Sequence, residues 1–344
     1  MHPNVGLIRR ARRAAAGRVA VGGALAGALG LAALSGAGVA PAAGASRSPR
    51  AGRTTTLTVA SLAAGDWSVV ELGLSKGYFA QQGLKLSFVP MNSLPQEIPL
   101  MVSGHLDVGY GGDLAALEAV GHGIKLNIIG ALERDVQRPQ GSAAEIVVRR
   151  SSGISSFKQL TGKTVAVNAL GTPFEFWAKA AIDAAGGDSA KTSFIAIPFT
   201  AQAHALASGQ VDAISTGQPF ASEAVAGGGR NLGDPFMKAA GTKSPVYTYW
   251  LATPSFVSTH RSALAGFMTA MNKAYAFANS HPSVARHFMA EVTKLPLSTV
   301  NADLPLPLWS GTVVRQTIAV DNSILVHYHA IPAPVNLSSV IAHL

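Results

Sequence analysis

Leu72 to Ile129 is the stretch on which the fold turns. It begins LGLSKGYFAQQGLKLSFVPM at Leu72 and resumes LMVSGHLDVGYGGDLAALEAVGHGIKLNII at Leu100. An apolar helical pattern ends in Lys76-Gly77-Tyr78-Phe79, and a turn at Gln82-Gly83 leads into a strand from Leu84 to Val89. A second helix ends at Ser103-Gly104, and Leu106-Asp107-Val108 follows as a short strand that opens onto a glycine loop. Strand and helix periods alternate, which is the pattern of parallel α/β units.

Working outward, Leu57 to Ser61, Leu84 to Val89, Leu106 to Tyr110 and Lys125 to Gly130 form one set of expected strands. Thr164 to Asn168, Phe194 to Ile197 and Asp212 to Thr216 form another. Between the sets stands Glu145-Ile146-Val147-Val148-Arg149, and after the second stands Tyr247-Thr248-Tyr249-Trp250-Leu251-Ala252. Helical patterns near Ser262 to Ser280, Ser283 to Lys294 and Gly311 to Tyr328 complete the chain.

The grammar of the opening stretch recurs. Ile154 to Val167 reads ISSFKQLTGKTVAV, and Leu206 to Ala213 reads LASGQVDA. Together these motifs resemble the nitrate, sulfonate, taurine and thiamine-pyrimidine-precursor group of solute-binding proteins that serve ABC importers, from about Thr56 to the C-terminus. The resemblance implies an α/β, two-lobed, periplasmic-binding-protein type II-like fold, each lobe a mostly parallel sheet flanked by helices, with two crossover strands as hinge. The expected lobes are 56–143 plus 250–344 and 144–249, with hinge strands near 145–149 and 247–252. The implied role is capture of a small organic solute by hinge closure, and delivery to the membrane permease and ATPase subunits of an importer. The chain is then a monomer without cofactor or metal.

Composition narrows the alternatives. The N-terminus carries Arg9, Arg10, Arg12, Arg13 and Arg18, then an uncharged run from Val19 to Val39, then Ala43-Gly44-Ala45. That order reads as an export signal over 1–45 followed by a linker over 46–55, with an uncleaved membrane anchor as the alternative. The chain has 27 basic against 18 acidic side chains; setting aside the five leader arginines leaves 22, and setting aside Arg47, Arg50 and Arg53 leaves 19. The excess of positive charge belongs to targeting, so a nucleic-acid partner loses its support. The chain has no cysteine, hence no disulfide and no lipid-anchoring cysteine. It is expected to be exported, to the periplasm or the cell surface.

Ligands of open α/β sheets sit beyond the C-terminal ends of the strands, where helix N-termini offer unpaired N–H groups. The loops at 62–68, 91–96, 111–113, 169–174 and 217–220 are therefore the expected site. The candidate contacts are Asp66 and Trp67 in the first and Asn92 and Ser93 in the second. Gly111, Gly112 and Asp113 follow in the third, Asn168, Gly171, Thr172 and Phe174 about the fourth, and Gln218 in the fifth. Trp67 offers a flat apolar wall, and the two aspartates offer acceptors for an amine or ring N–H; both aspartates read equally as turn or cap residues, and Trp67 as a residue packed under its loop. Ser68-x-x-Glu71, Ser93-x-x-Gln96 and Thr172-x-x-Glu175 have capping-box spacing, which favours Glu175 as a cap over Glu175 as a ligand contact.

None of these loops contains Lys or Arg, so a neutral or cationic nitrogen compound fits them better than nitrate or a simple sulfonate. His327 and His329 share a face only in a strand, and His287 with Glu291 reads as a surface pair. The rival reading is an enzyme on the same fold, of the thiamine-pyrimidine or menaquinone-pathway type. The relatives it resembles depend on a cysteine that this chain lacks, apart from the menaquinone-pathway group.

Overall fold

The computed structural model describes residues 54–344 apart from 62–66, 92–93 and 137–140. The expected leader and linker lie outside the described residues but for Thr54 and Thr55, and so do Asp66, Asn92 and Ser93.

In chain order, the first set of elements is β1 (Thr55–Ser61), α1 (Ser68–Ser75), α2 (Tyr78–Gln81), β2 (Leu84–Pro90), α3 (Leu94–Val102), β3 (Gly109–Gly112), α4 (Asp113–Gly121) and β4 (Asn127–Arg134). The second is β5 (Ala144–Arg149), β6 (Thr164–Val167), α5 (Pro173–Ala184), β7 (Ser193–Ala196), α6 (Phe199–Ser208), β8 (Ala213–Gly217), α7 (Phe220–Ala226) and β9 (Gly229–Gly233). The remainder is α8 (Pro235–Ala240), β10 (Val246–Ala252), α9 (Pro254–Thr259), α10 (Arg261–Ser280), α11 (Pro282–Thr293), α12 (Leu297–Asp303), β11 (Leu308–Trp309), α13 (Arg315–His327) and α14 (Leu337–Val340).

The outer sheet has the order β11-β4-β10-β3, and the parallel pair β1-β2 joins it through a parallel bridge from Val59 to Val108. The inner sheet has the order β7-β6-β8-β5-β9, parallel from β7 to β8. Along β5, Ile146 and Val148 face one apolar layer with Ile182 of α5, while Val147 faces another with Leu206 of α6 and Ile214 of β8. Period-2 alternation with both faces apolar is what a covered central strand requires. The larger core lies on the outer sheet, around the fully buried Leu57, Val59, Leu117, Ile128, Trp250 and Phe267.

The repeated Ser-Gly-x-x-Asp motif does the same work in both sheets. Gly104 and Gly209 adopt positive φ of 76° and 81° where α3 and α6 stop. Three residues on, Asp107 accepts from the Thr58 N–H at 2.7 Å and Asp212 accepts from the Thr164 N–H at 2.9 Å, pinning each chain to its neighbouring strand.

Two expected strands are displaced. The strand expected at Leu106 to Tyr110 begins at Gly109, where pairing with β10 starts, while the N–H groups of Asp107 and Val108 both turn to Thr58 O of β1; Gly111 and Gly112, expected in a loop, pair with Tyr249 and Thr248 of β10. The strand expected to end at Gly130 runs on to Arg134, because β10 continues to pair with it. Strands β9 and β11 carry no clear alternation, and the sequence reading passed over both.

Candidate ligand-binding site at the lobe junction

Strand direction places the site. β1, β2 and β3 run parallel, and β3 and β4 are both antiparallel to β10. The C-terminal ends Ser61, Pro90, Gly112 and Arg134 therefore share one edge of the outer sheet. The inner sheet turns its own C-terminal edge to the same junction, since Ala144, where the chain arrives from β4, pairs with Gly217 at the end of β8. The chain crosses twice, over residues 135–143 and 234–245. The expected hinge strands exist, but β5 belongs to the inner sheet and β10 to the outer, so the crossings fall between strands. They are tied to each other: Asp135 N–H donates to Pro245 O at 2.8 Å and Arg134 Nη2 to Ser244 O at 3.3 Å.

The junction is rich in buried carboxyl groups. Asp135 accepts from the N–H groups of Val136 and Ala143 at 2.8 and 2.6 Å, and it is hydrogen-bonded to Asp234 across the two crossings. Asp234 also caps α8 through Met237 N–H at 2.8 Å and accepts from the Tyr247 hydroxyl. Burial, reinforced by the Asp234 charge, pushes Asp135 up to about 8. Nearby, Asp113 and Asp321 of α13 are both fully buried and act on each other, and the Oδ2 of each has no donor among the described residues. Two carboxyl groups buried side by side are accommodated only with a proton between them. Burial accordingly pushes Asp113 up to about 7 and raises Asp321 well above the carboxylate range. Trp177 of α5 donates its Nε1–H to Asp321 at 2.9 Å, and Tyr328 donates its hydroxyl to Asp183 of α5 at 2.6 Å, so α13 is bonded to the inner lobe twice.

The expected site residues separate into groups. Trp67 is 3% exposed, edge-on to Phe88, Tyr110 and Trp250, with its Nε1–H on Glu71 at 3.3 Å, and so packs under its loop. Asp113 is occupied by Asp321 and by Leu114 N–H at 3.0 Å. Thr172 stands at the N-cap of α5 without capping it; its hydroxyl donates to Ala169 O and to Asn168 Oδ1. Glu175 does not complete the box either: it accepts from the N–H of Gly171, one residue before the N-cap, at 2.7 Å, and pairs with Lys179. Ser68 lies inside α1 after the N-cap Trp67, with no side-chain partner among the described residues. Phe174 and Gln218 come close together: the Phe174 ring lies against Gly217 and against Phe199, which stacks on Phe220. Gln218 Oε1 accepts from Ser222, while its Nε2 is buried without a partner among the described residues. His287 and Glu291 form the surface pair expected of them, 3.3 Å apart.

A cavity of about 440 Å³ opens between the lobes beside Gln218. Its polar side is Glu133, Asp135 and Gln218; its apolar side is Phe220 with Met289, Leu295, Leu304 and Leu306 from the α11–β11 segment. The sequence reading missed that segment, which carries no motif and reaches the junction only because β11 pairs with the end of β4.

The architecture has known counterparts. The periplasmic aliphatic sulphonate-binding protein SsuA from Escherichia coli superposes with a TM-score of 0.70 at 20% identity, over 84% of this chain and 92% of that one. The periplasmic nitrate-binding protein NrtA from Synechocystis PCC 6803 gives 0.64 at 14% identity, over 84% and 86%. The desulfurization enzyme DSZB gives 0.59 at 16% identity, over 82% and 95%. No curated protein matches by sequence. At these identities the likeness establishes the periplasmic-binding-protein fold, and membership comes from the sequence itself: residues 69–285 match the NMT1/THI5 like family model, which is more than half of the chain, and the protein belongs to that family.

Proposed function

We propose that the protein is the extracytoplasmic solute-binding component of an ABC importer. On this reading an exported monomer captures a small organic solute between the lobe built on the outer sheet, which includes β10, and the lobe built on the inner sheet, and closes about the crossings that join β4 to β5 and β9 to β10. The observation that carries it is the pair of opposed strand edges with a ligand-sized cavity between them, within the range of about 300–1,000 Å³ usual for such sites. A solute that bridges both edges binds the closed state better than the open one and shifts the population toward it. The permease and ATPase partners follow from the kinship with sulfonate- and nitrate-binding proteins. Catalysis is the weaker reading, because the junction carboxyl groups Asp113, Asp321, Asp135 and Asp234 are buried and paired with one another.

Native mass spectrometry of the chain expressed in rich medium tests the proposal. A retained small molecule is expected, and returning it to unfolded and refolded protein should shrink the radius seen by small-angle scattering. A bare chain whose radius responds to no fraction of the medium would refute the reading.

A further inference from the structure

One wall of the cavity between the lobes is hydrocarbon. Met289, Leu295, Leu304 and Leu306 line it from the outer lobe and Phe220 from the inner. Pro219, Pro305 and Pro307 line it too, and a proline has no backbone N–H to offer. Small oxyanions are held by clusters of such N–H groups, so this wall suits a hydrocarbon body and not an inorganic ion. On the polar side Glu133 and Asp135 are already hydrogen-bonded within the protein, to Thr248 and to the N–H groups of Val136 and Ala143.

The wall is also held in place. Arg286 of α11 donates to Val300 O and, at 3.0 Å, to Leu304 O, which ties the start of the Leu304–Pro307 run to α11. Beyond its other end Asn279 of α10 donates to Trp309 O at 2.8 Å and accepts from Trp309 N–H at 3.2 Å. The two prolines between those ties fix their own φ. A braced wall selects by size as well as by polarity. Residues 69–285 carry the family match, so the wall from 289 to 307 is not what places the chain in the family.

We infer that this wall sets specificity, and that the solute is an amphiphilic organic compound, one small polar group on a hydrocarbon body that packs on Phe220, Met289, Leu304 and Leu306. The inference deepens the solute-binding reading and rests on it for its biological role. Each methylene buried against the wall contributes about fourfold in affinity, a gain closed to nitrate or taurine. The gain stops where the body outgrows the cavity.

Titration calorimetry on the full chain tests it with n-alkyl series from ethyl to octyl that carry an ammonium, a hydroxyl or a sulfonate group, with thermal melts to confirm folding. In the best-bound series affinity should rise about fourfold per carbon and then level off. Nitrate and taurine should give no saturable heat at millimolar concentration. Leu306→Trp narrows the cavity and should move the levelling point to a shorter body, whereas general damage to the fold would weaken all members alike. Thr293→Phe fills the same space from the half-buried end of α11 and should move it likewise, which keeps the test open if the first variant does not fold. The inference is overturned by an affinity that does not change along the best-bound series, or by a folded protein that ignores every member at millimolar concentration. Nitrate or taurine binding as tightly as the hexyl compounds overturns it too, as does a levelling point that a folded variant leaves unmoved. A small inorganic or zwitterionic solute recovered by native mass spectrometry would overturn this inference alone, leaving the solute-binding reading intact.

Discussion

Asp113 is buried beside another carboxyl, that of Asp321, and the pair can be buried only with a proton between them. The same need recurs at Asp135 with Asp234, and Glu97, 1% exposed and accepting from Tyr110 N–H at 2.7 Å, is pushed by burial up to about 9. In each case the folded protein holds a proton that the unfolded chain releases near pH 4, so the sign of the linkage is fixed. Stability is full below that pH and falls as pH rises through the folded values of about 7, 8 and 9, each lost proton contributing up to ~1.4 kcal/mol per pH unit. Thermal melts from pH 5 to 9 should show a falling Tm, and a flat or rising profile would contradict the shared protons. Asp321→Asn supplies an N–H to Asp113 and should flatten part of that slope. Asp321→Ala strips both Asp113 and the Trp177 indole of their partner and should cost about 2–4 kcal/mol. From sequence, Asp113 reads as a cleft acceptor or a cap with equal ease, because its partner lies on a helix near the far end of the chain and nothing local announces it.

Elements were more legible than their contents. The glycine stop, the short turn and the aspartate of Ser-Gly-x-x-Asp were visible twice, and the α/β alternation around them gave the sheets. What the motif does was not visible, because Asp107 and Asp212 act on strands that begin far earlier in sequence, at Thr55 and Thr164. Each aspartate satisfies one strand N–H, so Asp107→Ala and Asp212→Ala should each cost about 1–2 kcal/mol by chemical denaturation and leave solute binding unchanged, since neither lies at the junction. A loss of binding in a folded variant would mean that the motif belongs to the site after all. The boundary errors have a common origin. β3 and β4 are limited by where β10 pairs with them, and pairing between distant segments is not encoded in either strand's own periodicity.

At the scale of the molecule the two lobes are bonded to each other. Trp177 stacks on Phe236 at 4.8 Å and lies 5.0 Å from Tyr247, and this aromatic group is continuous with the outer core. Two hydrogen bonds, Trp177 to Asp321 and Tyr328 to Asp183, cross the same seam from α5 to α13. A hinge that opens along this seam must break both bonds and wet the aromatic contact, which biases the ligand-free protein toward the compact state. The pattern of α5 does not tell which core Trp177 enters, because α5 belongs by topology to one lobe and by packing to both. Trp177→Phe combined with Tyr328→Phe keeps an aromatic ring at each position and removes the two bonds, so it should lower stability by about 2–5 kcal/mol, the smaller ring at 177 contributing beside the lost bonds. It should also widen the ligand-free particle in small-angle scattering, and the retained solute should then compact the variant by more than it compacts the parent. A variant that loses stability while its ligand-free radius stays at the parent value would show that apolar contact alone keeps the seam shut, and that the two hydrogen bonds set its register rather than its closure.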